Sequence, residues 1–76
     1  MSTVTVNGRK YFYSRIQNVR RVCGTYYVDT FHGGYTIWGG KAAGGSSRDW
    51  FVEGEHIKDY IVCNSVVDAL TMLDSM

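Results

Sequence analysis

Asn64 to Met76, NSVVDALTMLDSM, is the one stretch with a helical period in a chain otherwise made of strand residues and glycines. The Ser65 hydroxyl is placed to accept from a free backbone N–H of the first turn, and Asp68 three residues on suits the positive helix start. At about 100° per residue, Val66, Ala69, Leu70, Leu73 and Met76 fall on one arc, with Asp68, Thr71, Asp74 and Ser75 opposite and Val67 and Met72 on the flanks. Helices shorter than about 12–15 residues are marginal alone in water. This one must therefore lay its apolar arc on a sheet, and one short helix covers one sheet face.

The strands that supply such a sheet alternate at a period of two. Thr3 to Val6 reads as a strand, and Asn7-Gly8 after it is a strong hairpin signal because both residues tolerate positive φ. Lys10 to Ile16 and Gln17 to Val22 read as one long strand or as two with a bend near Asn18. Cys23-Gly24 reads as the next turn, Thr25–Phe31 as a strand, His32-Gly33-Gly34 as a turn and Tyr35–Trp38 as a strand. The segment Gly39–Arg48, GGKAAGGSSR, is long for a hairpin loop and rich in glycine, so exposure and mobility are expected there. Asp49–Glu53 resumes the sheet, Gly54 turns the chain, and Ile57–Cys63 holds the last strand. The expected fold is α+β: an antiparallel sheet of about five strands with the C-terminal helix packed on one face, residues 1–76 forming a single domain.

A chain of 76 residues has a thin core, since domains of this size bury only about 60% of the surface exposed by the unfolded chain. No apolar run resembles a signal peptide or approaches the roughly eighteen residues of a membrane span, so a soluble, unprocessed, cytoplasmic protein with no membrane partner is expected. The two cysteines, Cys23 and Cys63, form no CxxC pair and read as free thiols. The formal charge of +1 hides an asymmetry: seven cations against Asp29 alone through Arg48, then six acidic residues against Lys58 alone. If the two halves stay apart in space, the basic side would attract phosphates or acidic protein surfaces.

Alternation also sorts the rings. Tyr26, Val28, Tyr35, Ile37, Trp50 and Val52 make an uncharged set suited to lie under the helix, whereas Tyr27, Asp29, Phe31, Thr36, Trp38, Phe51 and Glu53 share the other face. Ten of the eleven aromatic residues lie between Tyr11 and Phe51, more than one short helix shelters. A contiguous exposed patch of this kind marks a contact site, unless the N-terminal hairpin curls over it.

No catalytic constellation is present. Gly39-Gly40-Lys41 fails the phosphate-loop pattern, with Tyr35 where a glycine is required and Ala42 in place of Ser or Thr. A looser grip on an anion by Lys41, Arg48 and the glycine amides is physically reasonable. Cys23, His32, His56 and Cys63 are zinc-ligand types at spacings unlike a zinc finger, so neither a metal nor another cofactor is expected. A Cys–His nucleophile pair would have to be assembled by the fold. Glu53 and Glu55 read as solvated charges beside Gly54.

Several strands, a strand ending in WFVEG, a cap and then SVVDALTMLD resemble the three-strands-then-helix arrangement of AP2-like DNA-binding domains, whose sheet enters the major groove; the insertion at Gly39–Arg48 departs from that pattern. In size and β-rich style the whole chain also resembles small proteins of phages and mobile elements, including anti-CRISPR inhibitors. That resemblance implies action by occluding a site on a large host complex. Together these observations lead to the expectation of a non-enzymatic binding module for a protein partner, such as a phage inhibitor of a host nucleic-acid-handling complex. Contacts are expected from Tyr27, Trp38, Lys41 and Arg48, with Arg20 and Arg21 in support. The alternative is direct binding of nucleic acid by the basic, aromatic sheet, and a third reading makes the aromatic face a homodimer interface.

Overall fold

Two tight turns with paired positive φ angles set up the first half of the chain. In the computed structural model, which describes residues 2–39 and 49–76, Asn7 and Gly8 have φ of 52° and 81° and join β1 (Ser2–Val6) to β2 (Arg9–Tyr13). Cys23 and Gly24, at 51° and 82°, do the same between β3 (Ile16–Val22) and β4 (Thr25–Thr30). Two successive left-handed residues give a turn whose twist matches that of the strands it joins. The chain continues through β5 (Gly33–Gly39), β6 (Trp50–Gly54), β7 (Ile61–Cys63) and α1 (Val66–Ser75). Strands β3 to β7 form a five-stranded antiparallel sheet in chain order, and β1–β2 is a separate two-stranded hairpin.

The expected α+β architecture is therefore present, with local differences that have physical causes. The break between β2 and β3 falls at Ser14-Arg15, and the bend near Asn18 is a register irregularity between Ile16 and Asn18 inside the strand pairing. The β4–β5 turn uses Phe31 and His32 rather than the glycines, because Thr30 holds it. The Thr30 hydroxyl donates to the Gly33 carbonyl (3.1 Å) and accepts from the His32 amide (3.1 Å). Gly54 is not the next turn but the last residue of β6, cross-strand from Tyr35. A Cβ at Gly54 would run into the Tyr35 ring and approach the Gly34 carbonyl oxygen at 2.9 Å; the glycine lets that ring lie flat over the strand. The chain turns at Glu55-His56 instead, and β7 is reduced to three residues.

The inner face of the sheet is the one alternation assigns to it. Tyr26, Val28, Tyr35, Ile37 and Val52 are buried there, and Trp50 packs against them. α1 lies against β6 and β7 and buries Val66, Ala69, Leu70 and Leu73, each large aliphatic contributing roughly 1.5–3 kcal/mol. Ser65 caps it, accepting from the Asp68 amide at 3.0 Å. Met76, past the last helical residue, is exposed rather than part of the apolar arc. The β1–β2 hairpin covers what the helix does not: Val4, Val6 and Tyr13 join the same core, and Tyr11 stacks on Tyr13 with ring centroids 6.5 Å apart. The hairpin and helix thus share one side of the sheet, and a shortest extent of 19 Å is that of two packed layers.

Asp74 fixes how these parts meet. Periodicity places it on the solvent arc, yet its Oδ1 accepts from the backbone amides of Arg15 (2.7 Å) and Ile16 (3.2 Å) at the β2–β3 bend. Arg15 returns the contact, its Nη1 donating to the Met76 carbonyl at 2.7 Å.

Asp74→Ala should cost about 1.5–3 kcal/mol, the range for hydrogen bonds to a charged group, measured by urea denaturation. A loss within error of zero would show that the bend holds itself. Gly54→Ala should destabilise by about 1–3 kcal/mol through overpacking against Tyr35, and pairing it with Tyr35→Ala should recover part of that loss.

Candidate functional site: the uncovered aromatic face

The outer face of the five-stranded sheet has neither helix nor hairpin over it among the described residues. Register places its side chains in two rows. One runs Arg20, Tyr27, Thr36, Glu53 across β3 to β6, and the other runs Trp38, Phe51, Val62 across β5 to β7. Trp38 and Phe51 stack, centroids 4.8 Å apart at 28°, and Tyr60 meets the Phe51 ring edge-on at 5.4 Å. Tyr27 lies one strand over from Trp38, two residues along in register, a diagonal within reach of large rings. The Arg20 guanidinium carbon sits 5.7 Å from the Tyr27 ring centroid, a cation–π distance. Tyr27, Tyr60 and Val62 are 41%, 55% and 50% exposed, whereas Trp38 and Phe51 shelter each other in part.

The expected contact residues divide accordingly. Tyr27, Trp38 and Arg20 come together on this face. Arg21 does not, because the residue after Arg20 in a strand points the other way, and its guanidinium lies 5.7 Å from the centroid of Tyr26. Lys41 and Arg48, with the loop they belong to, lie outside the described residues. Phe51, Tyr60 and Val62 complete the patch. Phe51 was visible in the alternation, while Tyr60 and Val62 belong to a short apolar run with no period and become legible only once β7 is known to be an edge. Phe31 is 63% exposed but sits in the β4–β5 turn rather than on the sheet.

Charge follows the strand order. Arg15, Arg20 and Arg21 line the β3 edge, whereas Asp49, Glu53, Glu55 and Asp59 gather with Lys58 around β6 and β7, so the two halves of the sequence stay apart in the sheet. On the outer face itself Arg20 stands against Asp29 and Glu53.

The thiol and imidazole groups do not assemble. His32 and His56 meet edge-on at 6.5 Å, but each ring donates through Nε2 to a backbone carbonyl, His32 to Met76 (3.0 Å) and His56 to His32 (2.8 Å). Cys23 lies at the other end of β4 from His32, and no three metal-ligating side chains cluster among the described residues. Burial pushes the Cys63 thiol up from its usual range and the Asp68 carboxylate adds to this, the opposite of what an activated nucleophile needs. No helix among the described residues is long and apolar enough to cross a membrane. Compared with protein-family models, curated proteins and solved structures, the chain matches none.

Iodoacetamide at mildly alkaline pH should label the exposed Cys23 several-fold faster than Cys63, read by mass spectrometry of the two peptides. Equal rates would contradict a thiol kept protonated by its surroundings.

Proposed function

We propose that this protein is a non-enzymatic binding module that works by seating the outer sheet face, centred on Trp38, Phe51 and Tyr27, against a protein partner. The observation that carries the reading is an apolar and aromatic patch that no described element covers, on the sheet face opposite the core. Tyr, Trp and Arg dominate protein interfaces because they join large contact area to directional hydrogen bonds, and Tyr27, Trp38 and Arg20 are of those types. In its sharper form, taken from the likeness to small phage inhibitors, the partner is a host nucleic-acid-handling complex and binding occludes one of its sites. Direct nucleic-acid binding draws less support from this face. Phosphate recognition needs excess positive charge, and the described strand positions of this face offer Arg20 with Asp29 on the neighbouring strand and Glu53 at the far end of its row.

The test compares the wild type with the Tyr27→Ala, Trp38→Ala double variant, both checked by circular dichroism for the same fold. Candidate host complexes are passed over each immobilised protein. The expected result is one complex retained by the wild type and bound at least about tenfold more weakly by the variant, the loss expected when central aromatic anchors are truncated. Binding of a single-stranded oligonucleotide that weakens by roughly one logarithmic unit per neutralised phosphate as salt rises would replace this reading with nucleic-acid binding. A wild-type dimer in light scattering that the double substitution dissociates would replace it with a homodimer interface.

A further inference from the structure

The sheet has two outermost strands, and they are finished differently. β1 comes up beside β3, whereas beyond β7 no strand is placed among the described residues. β7 pairs with β6 through Ile61, Val62 and Cys63, and α1 packs on it from the inner side, so the second edge of its backbone has no strand against it. Such an edge is a template for another strand, and proteins commonly blunt it with Lys, Pro or a bulge. β7 carries none of these. Its edge is instead apolar and open, with Tyr60, Ile61 and Val62 55%, 37% and 50% exposed.

The three residues of β7 give only about 10 Å of edge at roughly 3.3 Å each, so side chains must add to what backbone pairing supplies. Register shows where they come from. Val62 stands opposite Phe51, which stands opposite Trp38; a residue facing Val62 on an added strand therefore extends the aromatic row by one place. Continuing the β6–β7 register puts Tyr60 opposite Glu53, so the residue two along falls in the row of Glu53 and Tyr60. A Lys or Arg in that place has the Tyr60 ring beneath it and the Glu53 carboxylate ahead. The charge around the edge selects the same partner. Glu53 and Asp59 are exposed beside it, and from Asp49 onward Lys58 is the one cation among the described residues. The Asp68 carboxylate also reaches β7, since after burial it is what pushes the Cys63 thiol up. Pairing with the β7 of a second copy would set these acids against themselves, and phosphates would meet the same repulsion.

We infer that β7 takes a sixth strand: an extended, basic segment of a protein partner, with an apolar side chain opposite Val62 and a Lys or Arg two residues from it. In strand addition the main chain supplies affinity and the alternate side chains supply the choice. The inference rests on the reading of the aromatic face as a protein-docking surface, and it names the part of the partner that reaches the acidic end of that face.

The full chain is immobilised and a library of random linear nonapeptides is selected on it, with counter-selection on the Glu53→Lys, Asp59→Lys double variant, two exposed positions whose substitution should leave the melting transition unchanged. Peptides with an apolar residue and a Lys or Arg two apart should be enriched and should bind the wild type about tenfold or more tighter than the variant. Amide shifts on adding a selected peptide should include Ile61, Val62 and Cys63. N-methylation at alternate peptide positions should abolish binding in the phase that faces β7 and spare it in the other. The inference is overturned if no basic peptide is enriched, if selected peptides bind the charge-reversed variant equally, or if both methylation phases have the same effect. The Tyr27→Ala, Trp38→Ala variant separates this failure from failure of the proposed function. Peptides that need Tyr27 and Trp38 but shift no β7 amide overturn the sixth strand and leave aromatic docking standing. Peptides that shift the β7 amides and bind the double variant as well as the wild type keep the strand and remove the aromatic face. A dimer in light scattering that Val62→Lys dissociates would overturn the inference by placing a second copy on β7.

Discussion

A single carboxylate oxygen decides how the layers of this protein close. Asp74 lies in the last turn of α1, where the helix dipole is negative and an acidic side chain is unfavourable by a few tenths of a kcal/mol or more, and no basic residue occupies that turn. Its place is explained by what it reaches: the amides of Arg15 and Ile16 at the start of β3. Unpaired, those two donors would each lose a hydrogen bond, Ile16 in a part-buried position and Arg15 in an exposed one. With them held, the β2–β3 bend is pinned to the end of the helix, and the hairpin hanging from that bend falls on the helix's side of the sheet.

That choice of side has a consequence for the other one. A ten-residue helix is too small to cover five strands, and the hairpin completes the cover with Val4, Val6 and Tyr13. Nothing remains among the described residues to lie over Trp38, Phe51, Tyr60 and Val62. Those rings satisfy one another in part, by stacking and edge contacts, which lowers but does not remove the apolar area left to solvent. The surface is thus a by-product of how the core was completed, and its contiguity sets it apart from scattered exposed apolar residues.

Most of the secondary structure and the inner face were legible in the sequence because both follow from local rules. Two positive-φ turns, a cap and a period of two or 3.6 need only neighbouring residues, and Asn7-Gly8, Ser65 and the set from Tyr26 to Val52 behave as those rules require. Gly54, Asp74 and the side taken by the hairpin were not legible, since each depends on a partner in another element far along the chain: the Tyr35 ring, the Arg15 amide, the helix. The site was half legible for the same reason. Alternation already separates Arg20 from Arg21, two neighbours in one strand that face opposite ways, so only one of them supports the Tyr27 face. Tyr60 carries no period at all and joins the patch only because the edge strand brings it onto Phe51.

Chain order and space coincide in this sheet, and that gives the charge asymmetry physical meaning. Had a crossover placed β6 beside β3, Glu53 and Arg20 would have been neighbours and the field would have cancelled locally. Instead two strands separate them in the row through Tyr27 and Thr36, so the basic and acidic ends flank an aromatic centre that is close to neutral. Charges arranged around an apolar patch, rather than inside it, add little to affinity but orient an approaching partner and penalise a reversed one. The same order keeps Arg20 and Arg21 on the outermost strand, with Asp29 the one acidic residue on its neighbour β4.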